Sequence, residues 1–277
     1  MSLRRICEEG AGAVTTKSIG PEPRTGHPNP TVLEWEHGLI NAVGLSNAGV
    51  EEMIGEVKEA MALCKSPVIA SFFAGTSKEF GEVAGKLSQA SPGIIEANIS
   101  CPNVASDFGT PFAYTPESAG DVVSAIKEST SIPLIVKLSP NTFMLKQVAK
   151  AVEEAGADAI NMGNTLGPGM IINPEAGKPV LANVVGGLSG PAVKPVAVRC
   201  VWDVYSSVEI PVIGTGGVLT GRDAVEMMMA GATAVGIGSA IKYRDLECFR
   251  LIPREISEWM KENGYSKLSD LVGAAHG

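Results

Sequence analysis

Six consecutive residues carry two amides, a hydroxyl and a thiol, in the order Asn98-Ile-Ser-Cys101-Pro102-Asn103. They follow the mostly apolar run 93–97, so they begin where a buried strand should end, and Pro102 prevents the strand from continuing. Polar groups that converge where the backbone leaves a rigid element are typical of a binding or catalytic site. The alternative is a capped strand end with a buried structural thiol at Cys101, because free cysteines are often buried.

Two lysines lie at the ends of other apolar runs, Lys17 early in the chain and Lys137 near its middle. An ammonium group in such a position can form a Schiff base, pair with a carboxylate, or face an anionic ligand such as a phosphate ester or a reduced flavin. For Lys137 the structural alternative is an ion pair with Asp158 or Glu96.

Seven short apolar runs predict parallel strands. They are rich in β-branched residues and apolar on both faces, as strands covered by helices on both sides are. The runs are 12–16, 67–73, 93–97, 133–136, 157–162, 210–214 and 232–237. Amphipathic helical patterns separate them. Alternating strands and helices without a break in composition predict one α/β domain over residues 1–277.

Several helix ends are marked in the sequence. Thr115 and Pro116 predict the N-cap and the first residue of one helix. Thr220, with Asp223 three residues later, predicts a capping-box start of another. Gly156 predicts the end of a third helix.

The alternation predicts a (β/α)8 TIM barrel, whose active site lies at the carboxyl ends of its strands. A closed barrel needs eight strands, whereas the sequence indicates seven. The simplest expectation is that the first strand is missing, since it would precede Met1. The alternative is a barrel that is closed unusually. The segments 18–47 and 164–190 both follow strand ends and are too long for simple connections, and loops of this length are commonly functional.

Charge and cysteine content argue against several classes of protein. The net charge is −8, with a sequence pI of about 5.0, which argues against a nucleic-acid-binding face and a polybasic membrane anchor. The five cysteines are scattered, without a C-x-x-C or Cys/His cluster, so neither zinc nor a disulfide framework is expected. Without a signal peptide or a membrane-length apolar run, we expect a cytoplasmic protein.

Glycine-rich turns accompany the last three units of the chain. Gly216 and Gly217 follow one predicted strand, Gly238 and Ser239 follow the next, and the run 186–190 precedes a helix. In barrels, turns in these positions commonly bind phosphate through backbone N–H groups and a helix N-terminus. The three turns together predict a phosphate-bearing ligand.

These motifs together resemble the class 1 dihydroorotate dehydrogenases. In chain order they are Thr16-Lys17-Ser18, Asn41 to Asn47, Asn98 to Asn103, Val136 to Pro140, Asn164-Thr165 and Gly186 to Pro191. Their order and spacing agree over nearly the whole chain. The Leu-Ser-Pro-Asn and Gly-Gly-Leu-Ser-Gly-Pro variants are most similar to the class 1B catalytic subunit.

The resemblance implies an FMN flavoprotein, an oxidoreductase that converts dihydroorotate to orotate in pyrimidine biosynthesis. Cys101 would be the general base that removes the C5 proton as hydride leaves C6 for flavin N5, and Lys137 would stabilise negative charge beside flavin N1. The implied substrate-binding residues are Lys17, Asn41, Gly44, Leu45, Asn98, Asn103, Asn164 and Thr165. The implied cofactor-binding residues are Lys17, Ser18, Ser71, Asn98, Lys137, Gly163, Gly190, Gly216, Gly217, Gly238 and Ser239. No metal is expected.

The class 1B resemblance further implies a homodimeric core and a partner subunit that carries FAD and an iron–sulfur cluster and passes electrons to NAD⁺. Fumarate, used by class 1A homodimers, is the alternative acceptor. The chain departs from the family in three places: no Ala-Ser-Gly strand precedes Arg4, Ser71 stands where class 1B members often have asparagine, and the loop 165–169 is slightly longer than usual.

Three other functions remain open. One is a dihydropyrimidine dehydrogenase-like FMN reductase that acts on a neutral pyrimidine. The second is a Schiff-base aldolase that uses Lys17 or Lys137. The third is a non-catalytic barrel in which Cys101 is dispensable.

Overall fold

The structure is a computed structural model that describes residues 3–100 and 111–277. Its strands are β1 (Val14–Thr15), β2 (Val32–Trp35), β3 (Gly38–Asn41), β4 (Val68–Phe72), β5 (Ile94–Asn98), β6 (Leu134–Leu138), β7 (Ala159–Met162), β8 (Leu166–Gly169), β9 (Ile172–Asn173), β10 (Lys178–Pro179), β11 (Gly186–Ser189), β12 (Val212–Thr215) and β13 (Ala234–Gly236). Its helices are α1 (Leu3–Glu8), α2 (Val50–Leu63), α3 (Ser77–Leu87), α4 (Pro116–Ser129), α5 (Leu145–Glu154), α6 (Lys194–Tyr205), α7 (Gly221–Met229), α8 (Ala240–Arg244) and α9 (Cys248–Glu262).

Seven parallel strands form the central sheet, in the order β1-β4-β5-β6-β7-β12-β13. Each of them lies within, or within two residues of, one of the seven apolar runs, so all seven predicted strands are confirmed. The parallel strands follow one another in chain order without a reversal, as they do in a (β/α) barrel. Within the described ranges β1 and β13 are each paired on one side only, so the sheet has seven of the eight strands of such a barrel.

Helices cover the outer face of the sheet and supply most of the core. α3, α4 and α5 pack side by side and bury the residues that their helical spacing predicts, among them Phe80, Val122 and Val148. Phe80 meets Phe72 of β4 edge to face, with ring centroids 5.9 Å apart. Full burial of each such side chain contributes about 1.5–3 kcal/mol to the free energy of unfolding.

The predicted helix ends are confirmed. The Thr115 side chain accepts a hydrogen bond from the Ser118 N–H, and Pro116 is the first residue of α4. Thr220 and Asp223 form the predicted capping box of α7. Gly156 follows α5 with φ of 104°, a left-handed conformation that glycine adopts without strain.

The segments 18–47 and 164–190 were predicted to be long loops, and this prediction was wrong in part, because they form a second, antiparallel sheet. β2 and β3 lie in the first segment, β8 and β11 lie in the second, and the four strands pair in the order β2-β3-β11-β8. β9 and β10 form a separate hairpin. These strands escaped prediction because β8 and β11 are glycine-rich, which gives them weak β-propensity, and because their pairing joins distant parts of the chain.

None of the helices in the described ranges has the length and apolar character needed to cross a lipid bilayer.

Asp223 also anchors α7 electrostatically. It accepts hydrogen bonds from Lys194 Nζ at 2.7 Å and from the Leu219 and Thr220 N–H groups at 3.0 and 2.9 Å. Burial would raise the pKa of Asp223, but these donors together lower it below the ordinary value of 3.8. A carboxyl whose folded-state pKa is lowered stabilises the fold above its unfolded-state pKa, and this contribution is lost as the pH falls through the folded-state value.

We therefore expect Asp223→Asn to lower the free energy of unfolding at pH 7 by about 1–2 kcal/mol. The loss should shrink as the pH falls below 3.8. Urea denaturation at pH 7 and at pH 3 measures both effects, with Asp121→Asn on the exposed side of α4 as the control. An equal loss for Asp223→Asn at both pH values would contradict the expectation.

Candidate active site

The parallel strands bring most of the predicted site residues to one end of the barrel. Lys17 lies two residues beyond β1, Asn98 is the last residue of β5, and Lys137 lies near the end of β6. Gly163 and Asn164 directly follow β7. Because the carboxyl ends of parallel strands meet at one edge, these side chains share the mouth of the barrel.

Hydrogen bonds join side chains from the ends of three strands. Asn98 Nδ2 donates to Ser18 Oγ at 3.1 Å, and Ser100 Oγ donates to Asn98 Oδ1 at 3.2 Å. Asn164 Nδ2 donates to Ser100 Oγ at 2.7 Å, and Asn164 Oδ1 accepts from the Thr165 N–H at 2.8 Å. The structure thus brings together Ser18, Asn98 and Asn164 as predicted, and adds Ser100, which was not among the predicted site residues.

A second polar group lies deeper in the barrel. Ser71 Oγ is 3.0 Å from Ser18 Oγ and donates to Glu96 Oε1 at 3.1 Å. Asn161 Nδ2 donates to Glu96 Oε2 at 2.7 Å, and Thr215 Oγ donates to Asn161 Oδ1 at 2.9 Å. Glu96 is 2% exposed. Polar residues inside the otherwise apolar runs 93–97 and 157–162 were the available signal for Glu96 and Asn161.

Lys137 lies between two asparagines of the sheet. In the strand register it is opposite Asn98 of β5 and Asn161 of β7, and it is half-buried. Glu96 binds Ser71 and Asn161, while Asp158 accepts from Lys127 Nζ at 3.0 Å and from the Leu134 N–H at 2.8 Å. Neither carboxylate therefore forms the ion pair with Lys137 that was the structural alternative.

The antiparallel sheet contributes a second wall. Asn41 ends β3, is opposite Gly187 of β11, and donates through Nδ2 to the Gly187 carbonyl at 3.4 Å. Thr165 Oγ1 packs against Gly187 and is buried without a hydrogen-bond partner among the described residues. An unsatisfied buried hydroxyl is costly, so it is a candidate contact for a polar ligand.

The backbone at Gly44 and Leu45 is unusual. Both residues have positive φ, 76° and 56°. For leucine this left-handed conformation costs energy, and strain of this kind clusters at functional sites. Leu45 is also buried, so its conformation is held by packing.

The predicted phosphate-binding glycines occupy neighbouring strand ends. Gly216 and Gly217 follow β12, and Gly238 and Ser239 follow β13, which pairs with β12. A Cβ added to Gly217 would lie 2.9 Å from the Gly190 carbonyl oxygen, so the turn after β11 lies directly against the turn after β12.

Two of the glycines differ in what surrounds them. A side chain at Gly163 would collide with the Thr215 carbonyl, so glycine is needed for the close approach of the turns after β7 and β12. At Gly238 an added Cβ would meet nothing within 4 Å. Gly238 therefore borders open space at the barrel mouth, where a ligand can reach its backbone.

Cys101 and Asn103, the predicted base and one predicted substrate contact, lie outside the described residues. The other four cysteines are described. Burial raises the pKa of Cys200 and of Cys248, and burial together with Cys7 raises that of Cys64 to about 11. Thiols with raised pKa values are poor bases near neutral pH, so Cys64, Cys200 and Cys248 are poorly suited to that role.

A comparison with known families decides the identity of this barrel. The family model for dihydroorotate dehydrogenase matches residues 1–260. The chain belongs to the dihydroorotate dehydrogenase family. Membership confirms the predicted family, the enzyme class, and the predicted flavoprotein character, because dihydroorotate dehydrogenases are FMN-dependent oxidoreductases of pyrimidine biosynthesis.

Curated dihydroorotate dehydrogenases resemble the chain over nearly its full length. The protein of Methanosarcina mazei is 47% identical over 276 residues, covering 99% of this chain and 87% of the relative. That of Methanothermobacter thermautotrophicus is 45% identical over 275 residues, covering 99% and 90%. Both are named dihydroorotate dehydrogenase B (NAD(+)), catalytic subunit, which confirms the class 1B resemblance.

A solved dihydroorotate dehydrogenase shares the fold. The crystal structure of the Eimeria tenella enzyme in complex with ferulenol superimposes with a TM-score of 0.83 over 98% of this chain and 81% of that one. At 21% identity this similarity concerns the fold alone, and it confirms the predicted barrel.

Proposed function

We propose that this chain is the catalytic subunit of a class 1B dihydroorotate dehydrogenase and that it oxidises dihydroorotate to orotate. The observation that carries the proposal is the hydrogen-bonded group Ser18, Asn98, Ser100 and Asn164 at the barrel mouth, with Lys137 opposite Asn98. FMN, when bound, supplies the acceptor for the hydride that leaves C6 of the substrate.

The chain's own residues suit FMN. Backbone N–H groups in glycine turns bind phosphate well. Such turns follow β11, β12 and β13, and Gly238 borders open space. Lys137 places a cation at the mouth, where it balances negative charge on the ring system. Gly163, Gly190, Gly216, Gly217, Gly238 and Ser239 hold the cofactor in this proposal, with Lys17, Ser18, Ser71 and Asn98 contacting its ring.

Amide side chains would recognise the pyrimidine. An amide offers both donors and an acceptor, which suits the alternating N–H and C=O groups of dihydroorotate. Asn41, Asn98, Asn103 and Asn164 take this role, and Thr165 contributes the buried hydroxyl that has no partner among the described residues. The backbone at Gly44 and Leu45 and the ammonium of Lys17 complete the substrate contacts.

Cys101 is the proposed general base that accepts the C5 proton. A free thiol has a pKa of about 8.5, and nearby ammonium groups lower it towards the working pH. The position of Cys101 in the sequence, three residues after Asn98 at the end of β5, supports this role. Residues 1–277 form a single FMN-binding domain in this proposal.

The electron acceptor lies in another polypeptide. Because the relatives are named catalytic subunits of an NAD(+) enzyme, we propose a partner subunit that carries FAD and an iron–sulfur cluster, joined to a homodimer of this chain. Rapid reduction of NAD⁺ by the purified chain alone would contradict the need for that partner.

The proposed function predicts that dihydroorotate bleaches the visible flavin band of the purified yellow protein under anaerobic conditions, and that orotate forms in equal amount. Dihydrouracil, which lacks the carboxylate, should leave the band unchanged. Bleaching by dihydrouracil alone would favour the dihydropyrimidine dehydrogenase-like alternative. A colourless protein trapped by borohydride with its substrate would favour the aldolase.

A further inference from the structure

Glu96 is a buried carboxylate to which the proposed reaction assigns no role. It lies in β5 and is 2% exposed. Its contacts are polar side chains of β4, which pairs with β5, and of β7, which lies one strand further on, beyond β6. Ser71, directly opposite it on β4, donates to one oxygen, and Asn161 of β7 donates to the other. A buried carboxylate is costly unless hydrogen bonds satisfy it, so these two contacts are structurally significant.

The carboxylate sets the direction of the hydrogen bonds that reach the site. A carboxylate only accepts, so the Ser71 hydroxyl hydrogen points at Glu96. Ser71 Oγ is then left to accept from Ser18 Oγ, 3.0 Å away, and Ser18 Oγ in turn accepts from Asn98 Nδ2 at 3.1 Å. Each hydroxyl has one hydrogen, so the direction at Glu96 fixes the direction at Asn98.

The hydrogen bonds on the other side of Asn98 have the same direction. Asn98 Oδ1 accepts from Ser100 Oγ, and Ser100 Oγ accepts from Asn164 Nδ2. With Nδ2 turned to Ser18 and Oδ1 turned to Ser100, the amide of Asn98 has one orientation. It keeps one N–H and one lone pair for a ligand.

We infer that Glu96 is a positioning residue, whose carboxylate orients the side-chain amide of Asn98 through Ser71 and Ser18. This inference deepens the proposed function, on which its meaning for substrate rests. An amide turned the wrong way presents a donor where the substrate needs an acceptor. Glu96 therefore contributes to substrate recognition although two serines separate it from Asn98.

The contacts on the far side of Glu96 allow a rescue experiment. Thr215 donates to Asn161 Oδ1, and Asn161 Nδ2 donates to Glu96 Oε2. In the exchange Glu96→Gln with Asn161→Asp, the new aspartate accepts from Thr215 and from the glutamine NH₂. The glutamine oxygen is then free to accept from Ser71, so the direction towards Asn98 is preserved although the carboxylate has moved to β7.

The test uses FMN-loaded protein labelled with [¹⁵N]asparagine. The side-chain NH₂ signals of Asn98, identified by their loss in Asn98→Ala, report its orientation, and orotate titration of the flavin spectrum reports affinity. We expect Glu96→Gln to change the chemical shifts of the Asn98 NH₂ signals and to weaken orotate binding by about tenfold or more. The double exchange should return both to within about threefold of the original protein.

Ser71→Ala provides a second variant in case Glu96→Gln fails to fold. It removes the link between Glu96 and Ser18 while keeping Glu96 and its hydrogen bond from Asn161, and it should shift the Asn98 signals too. The matched control is Thr215→Val. It removes the hydrogen bond of similar length from Thr215 to Asn161, on the side of Glu96 away from Asn98, and it should leave the Asn98 signals unchanged.

The results separate the two proposals. Unchanged Asn98 signals in Glu96→Gln or in Ser71→Ala would overturn the role of Glu96, as would a double exchange that restores nothing. If the signals move and return as expected but the original protein binds no orotate, the orienting role of Glu96 stands and the proposed function fails.

Discussion

Replacing Cys101 with serine is expected to lower dihydroorotate turnover at pH 7 by about 10²- to 10⁴-fold, the range that a positioned general base contributes. A serine hydroxyl is a far weaker base near neutral pH than a thiol, whose reference pKa is about 8.5. FMN should remain bound, because the proposed cofactor contacts come from other residues. Turnover is measured with an artificial electron acceptor, and FMN content from the visible spectrum.

The control for this substitution is Cys64→Ser. Cys64 caps the end of α2, far along the chain from the proposed base, and burial together with Cys7 raises its pKa to about 11. Such a thiol is protonated at pH 7, so its replacement should leave turnover within about twofold of the original. Unchanged turnover in Cys101→Ser would remove Cys101 from the mechanism.

Substituting valine for Gly238 is expected to weaken FMN binding by about a hundredfold, since the loss of two hydrogen bonds to a charged phosphate costs about 3 kcal/mol. An added Cβ at Gly238 meets no protein atom within 4 Å, and its φ lies outside the left-handed region. The fold should therefore tolerate the side chain, while the side chain fills the space proposed for the phosphate. Titration of apoprotein with FMN, followed by flavin fluorescence, gives the affinity.

Gly93→Val is the matched control for Gly238→Val. Gly93 precedes β5 at the amino end of the barrel and is likewise exposed, with no atom within 4 Å of an added Cβ. It should change FMN affinity little. Equal thermal stability of the two apoproteins would show that the fold tolerates both side chains. If Gly238→Val then bound FMN normally, the phosphate would have to lie elsewhere.

The sequence was informative about the central sheet because its signals are local. The runs that became β4, β5 and β6 are short, apolar and β-branched, as strands buried on both faces are. The helix ends at Thr115 and Thr220 are likewise set within one turn of chain, by a side chain that bonds a nearby backbone N–H. Strand ends then predicted which residues would meet, because all parallel strands place their carboxyl ends at one edge.

The antiparallel sheet over the barrel mouth was not predictable in the same way. Its strands β3 and β11 pair Asn41 with Gly187 across a long stretch of sequence. Glycine-rich strands such as β11 owe their structure to that pairing and to close backbone approach rather than to local propensity. The wall formed by Asn41 and Thr165 therefore exists only in the folded chain.

The sequence by itself determined the family, the barrel and the residue types at its mouth, since those follow from local pattern and from motifs in fixed order. The tertiary structure decided which of these residues touch. It turned Glu96 from a possible partner of Lys137 into the acceptor for Ser71 and Asn161, and it linked Asn98 to Ser18 and Ser100. Hydrogen-bond partners depend on angstrom-scale distances between strands, and only the folded backbone fixes those distances.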